Sequence, residues 1–102
     1  MLTSKQRAKL KSMGANIDAL YQLGKNEIDE NYIISINAAL DAKELIKIKI
    51  LDAAPYTAGE AAHNLAERTD CEVVQVIGSK VLLYKKSRKP EKRELSKIVE
   101  KI

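Results

Sequence analysis

The sequence predicts a single α/β domain whose elements follow the order α-β-α-β-α-β-β around a mixed four-stranded sheet in two layers. Two capping boxes predict where helices begin, an alternating segment at 44–50 predicts a strand, and Gly78-Ser79 between two apolar runs predicts a hairpin. Strand-helix-strand units are almost always right-handed and parallel, whereas a hairpin is antiparallel, so the sheet is mixed. With 102 residues, the chain can bury a modest core without disulfides.

The first helix is predicted from a capping box, in which Thr3 is the N-cap and Gln6 lies three residues later. It should run to about Met13 and stop at Gly14, because glycine is the usual residue after a helix end. Its inward side is expected to carry three apolar residues, Ala8, Leu10 and Met13. The short apolar run at 20–23 predicts the first strand.

The second helix is predicted over 29–42 from apolar residues at helical spacing, which are Ile28, Tyr32, Ile33, Ile36 and Leu40. The next segment, 44–50, alternates with a period of two and predicts the second strand. Its isoleucines should point into the core, and Lys47 and Lys49 should lie on the opposite face.

A second capping box, with Thr57 and Glu60, predicts the third helix, which should end at about Thr69. Segments 73–77 and 81–84 predict the last two strands. These elements define a domain at 1–86. Residues 87–102 form a basic tail in which Leu95, Ile98, Val99 and Ile102 have helical spacing, so a short helix is possible there.

Charge is unevenly distributed along the chain. The net charge is +4, yet residues 1–24 and 84–102 are basic while residues 25–83 carry ten acidic and six basic side chains. Clustered basic charge suits a polyanion such as nucleic acid, although Lys-rich ends can also serve only solubility. Tryptophan and phenylalanine are absent and there are four tyrosines, which favours recognition of RNA backbone and shape over stacking on bases.

The sequence offers little for catalysis. His63, the one histidine, shares a polar helix side with Glu60 and Glu67, which is typical of a solvated surface residue. Cys71 is expected to be a small semi-buried residue. No dinucleotide-binding or Walker motif occurs, and the acids lack metal-ligand spacing. We therefore expect that the protein is not an enzyme and uses no cofactor, metal or small-molecule substrate. Since no long apolar run or signal-peptide pattern occurs, we also expect a cytoplasmic location and no membrane association.

Four collinear segments resemble the CRM domain family, and more narrowly its small stand-alone bacterial members, the YhbY-like proteins. They are "LTSKQRAKL" at 2–10, "QLGKN" at 22–26, "ALDAKELIKIKI" at 39–50 and "VVQVIGSKVLLYK" at 73–85. The resemblance implies a fold similar to the C-terminal domain of bacterial translation initiation factor three and a non-catalytic RNA-binding role. For stand-alone members it further implies association with ribosomal RNA of the large subunit or its precursor.

The family's signature is a Gly-x-x-Gly loop between the first strand and the second helix, which here corresponds to Gly24-Lys25-Asn26-Glu27. The first glycine matches, whereas Glu27 replaces the second and adds negative charge where an anion would bind. Two alternatives follow: either the loop binds an anion weakly, or phosphate rests on the Gly24 N–H, Lys25 and Asn26 alone. The acids that follow have an ordinary interpretation, since Asp29 is well placed to cap the second helix.

The residues expected to contact RNA are Lys5, Arg7, Lys9, Gly24, Lys25, Asn26, Lys47 and Lys49. The alternative for each lysine is a solvated side chain that covers a face. The alternative function is a protein-interaction adaptor that docks through the basic amphipathic tail at 90–102.

Overall fold

A computed structural model describes residues 2–102, and its elements follow the predicted order. The mixed α/β fold with a four-stranded sheet is confirmed. The elements are α1 (Ser4–Gly14), β1 (Tyr21–Leu23), α2 (Glu30–Lys43), β2 (Leu45–Ile50), α3 (Ala58–Thr69), β3 (Glu72–Ile77) and β4 (Lys80–Tyr84), followed by a 3₁₀ turn (Pro90–Lys92) and α4 (Glu94–Glu100).

The strands lie in the order β1-β2-β4-β3, in which β1 and β2 are parallel and β4 is antiparallel to both of its neighbours. Strands β1, β2 and β3 therefore run in one direction and end together at Leu23, Ile50 and Ile77. We call this the turn end of the sheet, because the Gly78-Ser79 turn lies there. The opposite end, with Leu45, Glu72 and Tyr84, is the tail end.

One face of the sheet, the core face, packs against α2 and α3. The isoleucines of β2 interdigitate there with Leu40 of α2 and Leu65 of α3, and all of them are buried. This is the alternation that the sequence predicts for β2, and it also leaves Lys47 and Lys49 on the opposite face.

The opposite face, the second face, is covered at its tail end by α1 and α4. Leu10 of α1 and Val99 of α4 meet Leu45, Leu82 and Tyr84 there in a second buried cluster. The sequence predicts two layers, but the structure has a partial third one. The reason is that alternate residues of β4 are apolar on both faces, so each face needs a cover.

Three helix N-termini are capped as the sequence predicts. Thr3 and Thr57 form complete capping boxes with Gln6 and Glu60, and the Asp29 carboxylate accepts from the Tyr32 backbone N–H at 2.8 Å. The second helix begins one residue later than predicted, because Asp29 is its cap.

Two predictions about α1 are wrong. Ala8 is exposed rather than inward, and Gly14 is the last residue of the helix rather than its stop, with right-handed backbone continuing at Ala15. Glycine is favoured at 14 for another reason: a Cβ there would overlap the side chain of buried Leu82. The absent side chain lets α1 pack closely on β4.

The β3–β4 turn is built as predicted. Gly78 has a φ of 56° and Ser79 does not have a positive φ, which is the pattern of a type II′ turn. The turn is also tied to β2, because the Ile50 backbone N–H donates to the Ser79 carbonyl at 2.7 Å.

The tail packs against its own domain through a buried carboxylate. Glu44, which is 0% exposed, accepts backbone N–H groups from Ser87 at 2.7 Å and from Ser96 at 3.0 Å. Nearby, Asp41 pairs with Arg88 at 2.6 Å. The hydrogen bond from Arg88 holds the pKa of the Asp41 carboxyl below its usual value. The division of the chain at residue 86 stays a prediction.

Among residues 2–102, none of the helices combines the length and hydrophobicity that a bilayer crossing requires.

Candidate nucleic-acid interface

The loop between β1 and α2 is held firmly at its far side and is open at its tip. Ile28 is buried, its N–H donates to the Tyr56 hydroxyl at 3.3 Å, and its carbonyl accepts from Arg68 at 2.6 Å. By contrast, Lys25 and Asn26 are exposed. The loop therefore presents two polar side chains from an anchored base, at the turn end of the sheet.

The backbone of this loop does not itself require glycine. Neither Gly24 nor Glu27 has a positive φ, and a Cβ at position 24 would meet only Leu51 Cδ1, at 3.8 Å. Glu27 thus replaces the family's second glycine without backbone strain. Any need for glycine at 24 would come from a ligand approaching the main chain rather than from the fold.

Of the acids in and beside the loop, Asp29 has a structural role and Glu27 has none. Asp29 caps α2, and the same turn holds Tyr32, whose hydroxyl donates to the Gln22 carbonyl at 3.0 Å. Burial raises the pKa of Tyr32 to about 12, so the phenol stays neutral and keeps this bond. Glu27 is exposed and makes no hydrogen bond or ion pair with another residue in the range 2–102. It is the one carboxylate of the loop with no structural role.

The open turn end of the second face carries lysines from two strands. Lys49 of β2 lies directly opposite Lys80 of β4, and both are exposed. Neither ammonium group makes a hydrogen bond or ion pair with a residue that the structure describes. Their Cα atoms are about 5 Å apart, as in any directly opposed antiparallel pair. Like charges opposite each other are unfavourable, so this pair is a place where an anion would be stabilising.

Lys80 is absent from the residues that the sequence suggests for RNA contact. The two-residue turn at Gly78-Ser79 could have placed it opposite Ile77, but its position beside Lys49 depends on β4 pairing with β2. A lysine at the start of a strand carries no sequence signature that marks it as an RNA contact. Only the strand order brings the two lysines together.

Two of the predicted cations already have structural partners. Lys47 is half-buried and its Nζ donates to the Ile17 carbonyl at 3.0 Å. Arg7 donates to the carbonyls of Val73 and Val74, the latter at 3.1 Å, where a bulge interrupts the β3–β4 pairing. These contacts tie α1 and the segment after it to the sheet, so RNA would compete with them for both side chains.

The predicted residues form two groups in space. The loop and Lys49 lie at the turn end, near the β1 edge, whereas Lys47 lies in the middle of β2, on the same face as Lys49. Lys5 and Lys9 are exposed on α1, whose N-terminal half is bound by Arg7 to β3, the opposite edge of the sheet. The structure therefore places the loop and Lys49 at one end of the sheet and leaves Lys5 and Lys9 as a separate basic patch on α1.

Two of the four residues in the apolar stripe of the tail pack against the domain itself. Val99 is 1% exposed in the second cluster and Leu95 packs beside it, whereas Ile98 and Ile102 remain 47% and 44% exposed. The carbonyl of Val99 also accepts from the Gln6 side chain at 3.2 Å. A partner helix would find only the outer part of this stripe free.

The side chains that could have suggested catalysis have ordinary surroundings. His63 is exposed and pairs with Glu67 at 3.0 Å on one helix side, as predicted. Cys71 is buried, and burial raises the pKa of its thiol, which disfavours the reactive thiolate. Across residues 2–102, no group of His, Cys, Asp and Glu side chains is arranged to hold a metal ion.

Comparison with known proteins shows close relatives over nearly the whole chain. The model of the CRS1 / YhbY (CRM) domain matches residues 2–85. The Bacillus subtilis "Probable RNA-binding protein YqeI" is 35% identical over 95 residues, covering 93% of this chain and 99% of the relative. A Haemophilus influenzae protein named "RNA-binding protein" is 31% identical over 86 residues, covering 84% and 87%.

A solved structure agrees with the fold. The solution structure of the hypothetical protein SAV1595 from Staphylococcus aureus, described as an RNA-binding candidate, has a TM-score of 0.71 and 41% sequence identity. It covers 93% of this chain, and the match includes 99% of that protein.

Proposed function

This chain belongs to the CRS1 / YhbY (CRM) domain family, and on that premise we propose that it is a non-enzymatic RNA-binding protein. The observation that carries the proposal is the gathering of unpaired, exposed cations at the turn end of the sheet, beside an anchored loop with an open tip. Lys25 and Lys49 contribute two of these charges, and Gly24 leaves the backbone between them accessible.

We propose that these contacts go mainly to phosphates. Lysine side chains and backbone N–H groups bind phosphate oxygens, and such contacts fix position without reading sequence. The proposed contact residues are Lys5, Arg7, Lys9, Gly24, Lys25, Asn26, Lys47 and Lys49. Of these, Arg7 and Lys47 would have to share their donors with the backbone carbonyls that they already bind.

The finer proposal is that the RNA is ribosomal, within large-subunit particles or their precursors in the cytoplasm. It is supported by the family resemblance of the segments at 22–26, 39–50 and 73–85. A CRM domain with no metal-binding cluster among its described residues fits an assembly factor that binds RNA and dissociates without catalysing a reaction.

Sedimentation of a cell lysate through a sucrose gradient, at low and at high salt, tests this function. We expect the chain to migrate with large-subunit or precursor particles at low salt and to remain at the top at high salt. Ribonuclease treatment is the control, since it should release an RNA-bound chain and spare one held by protein. A chain that stays at the top at low salt would contradict the ribosomal proposal.

Binding of the purified chain to a large-subunit RNA fragment tests the phosphate mode separately. If about four to six phosphates are neutralised, log affinity should fall with log salt at a slope of about −3 to −5. A complex insensitive to salt would contradict it. The adaptor function ranks lower, because Val99 and the Glu44 hydrogen bonds already attach the tail to its own domain.

A further inference from the structure

The open turn end of the second face has features beyond charge. One cross-strand row there consists of Gln22, Lys49, Lys80 and Ile77, in the order of the strands. Ile77 is 60% exposed on this face, whereas the preceding Val76 points to the core face. The row thus offers one exposed apolar side chain alongside two unpaired lysines.

A cavity adjoins this row where α1 ends above the sheet. It has a volume of about 290 Å³, and its wall includes Gly14, Gln75, Ile77, Lys80 and Leu82. The close packing of Gly14 on Leu82 sets the helix end as one side, and Ile77 and Leu82 supply apolar surface. Half-buried Gln75 adds an amide, which can both donate and accept hydrogen bonds.

From this arrangement we infer that the turn end binds one unpaired RNA nucleotide, with its phosphate at Lys49 and Lys80 and its base in the cavity beside Gln75 and Ile77. The inference rests on the proposed RNA-binding function and deepens it, because it names single-stranded RNA as the ligand of this face. Splayed bases are held between apolar side chains as well as aromatic ones, and are read by hydrogen bonds to their edges.

Charge favours RNA over an apolar protein segment as the occupant. The row and the cavity include three lysines, Lys47, Lys49 and Lys80, and no acidic side chain. An apolar peptide would leave the opposed pair Lys49 and Lys80 uncompensated, whereas a nucleotide supplies the anion and the flat apolar ring together. The sequence favours backbone recognition because aromatic residues are few, and this cavity is a route to base contact that needs none.

Two kinds of variant separate the phosphate from the base. Lys80→Gln should weaken binding to both a short single-stranded RNA and a duplex of the same composition, and reduce the salt slope by about 1. Ile77→Ala should weaken only single-stranded binding, by about threefold, and leave the salt slope unchanged. Gln75→Ala should change the preference among homopolymeric A, C, G and U strands.

The controls are matched in exposure and type. Ile34, on α2, is 65% exposed and lies on the other side of the sheet, so Ile34→Ala should have no effect on binding. Lys97→Gln, on α4, is the matched control for Lys80→Gln. Amide NMR spectra of the Ile77→Ala and Gln75→Ala variants establish that they are folded.

The outcomes distinguish the inference from the function it rests on. Normal single-stranded binding by folded Ile77→Ala and Gln75→Ala variants, with Lys80→Gln still weakened, would overturn the base cavity and leave RNA binding in place. Equal loss with single-stranded and duplex RNA for all three variants would overturn it too, in favour of a duplex-binding face. Failure of the unaltered chain to bind any RNA at low salt would overturn both the inference and the proposed RNA-binding function. Binding of an acidic protein through the same lysines, in place of RNA, would overturn them as well.

Discussion

The two ends of the sheet differ in how the charges near them are satisfied. At the tail end, Glu44 accepts from Ser87 and from Ser96 of α4, and Asp41 accepts from Arg88. At the turn end, Lys49 and Lys80 oppose each other in the open, with no partner in the range 2–102. The contrast teaches that charge on this protein is structural where helices cover the sheet and available for a ligand where they do not. The following predictions test it.

The largest effect is expected at the tail end. Glu44→Ala should lower the free energy of unfolding by about 3 kcal/mol, because a buried N–H without an acceptor costs about 1–3 kcal/mol and this carboxylate serves two. Urea denaturation measures it. Glu44 has a φ of 65°, so Glu44→Gly relieves backbone strain while removing the same acceptor. A Glu44→Gly variant more stable than the native chain would show that the hydrogen bonds contribute little.

Gly14, at the end of α1, and Gly24, just after β1, should differ in how substitution by alanine affects stability and RNA binding. Gly14→Ala should cost about 2 kcal/mol of stability, since its Cβ would overlap Leu82 and overpacking typically costs 1–3 kcal/mol. Gly24→Ala should leave stability unchanged because Leu51 is 3.8 Å from the added Cβ. It should instead weaken RNA binding about fivefold, the loss of one backbone hydrogen bond of about 1 kcal/mol. A destabilised Gly24→Ala, or one with normal affinity, would remove the loop from the ligand site.

Restoring the family pattern in the loop should sharpen the turn end. Glu27→Gly removes an unpaired negative charge beside the proposed phosphate site and should tighten RNA binding about fivefold, in line with about 1 kcal/mol for one charge at close range in water. Glu27→Gln is the control that removes charge without adding flexibility. Unchanged or weaker binding by both variants would mean that the loop does not contact RNA.

The smallest effect concerns acid. The pKa of Asp41 is lowered in the folded state by Arg88, so its pairing stabilises the fold fully above the unfolded pKa of about 3.9 and is lost as pH falls through the lowered folded value. The stability gap between the native chain and Arg88→Gln should therefore be constant above about pH 5 and close at lower pH. Lys86→Gln, which breaks the exposed pair with Glu100, is the control. A gap that persists unchanged at pH 2 would contradict this assignment.

Local patterns predicted most of the fold but only part of the site. The caps at Thr3, Asp29 and Thr57 follow from short-range chemistry, and so does the Gly78 turn. The prediction that Gly14 stops α1 is wrong, because glycine is favoured there by close packing on Leu82, a residue far away in sequence. Arg7 and Lys47 look like any surface cation in the sequence, and their carbonyl partners depend on how α1 crosses the sheet.

The sequence alone determined which segments are helices and strands, which residues of β2 point into the core, and that the chain has a basic surface and a loop of the CRM type. Periodicity and capping act over a few residues, so they can be read directly. Only the tertiary structure decided that β4 inserts between β2 and β3, which sets Lys80 against Lys49 and opens the cavity beside Ile77. The order of the strands and the packing of helices on the sheet arise from contacts between segments distant in sequence. The pattern within one segment does not specify which other segments pack against it.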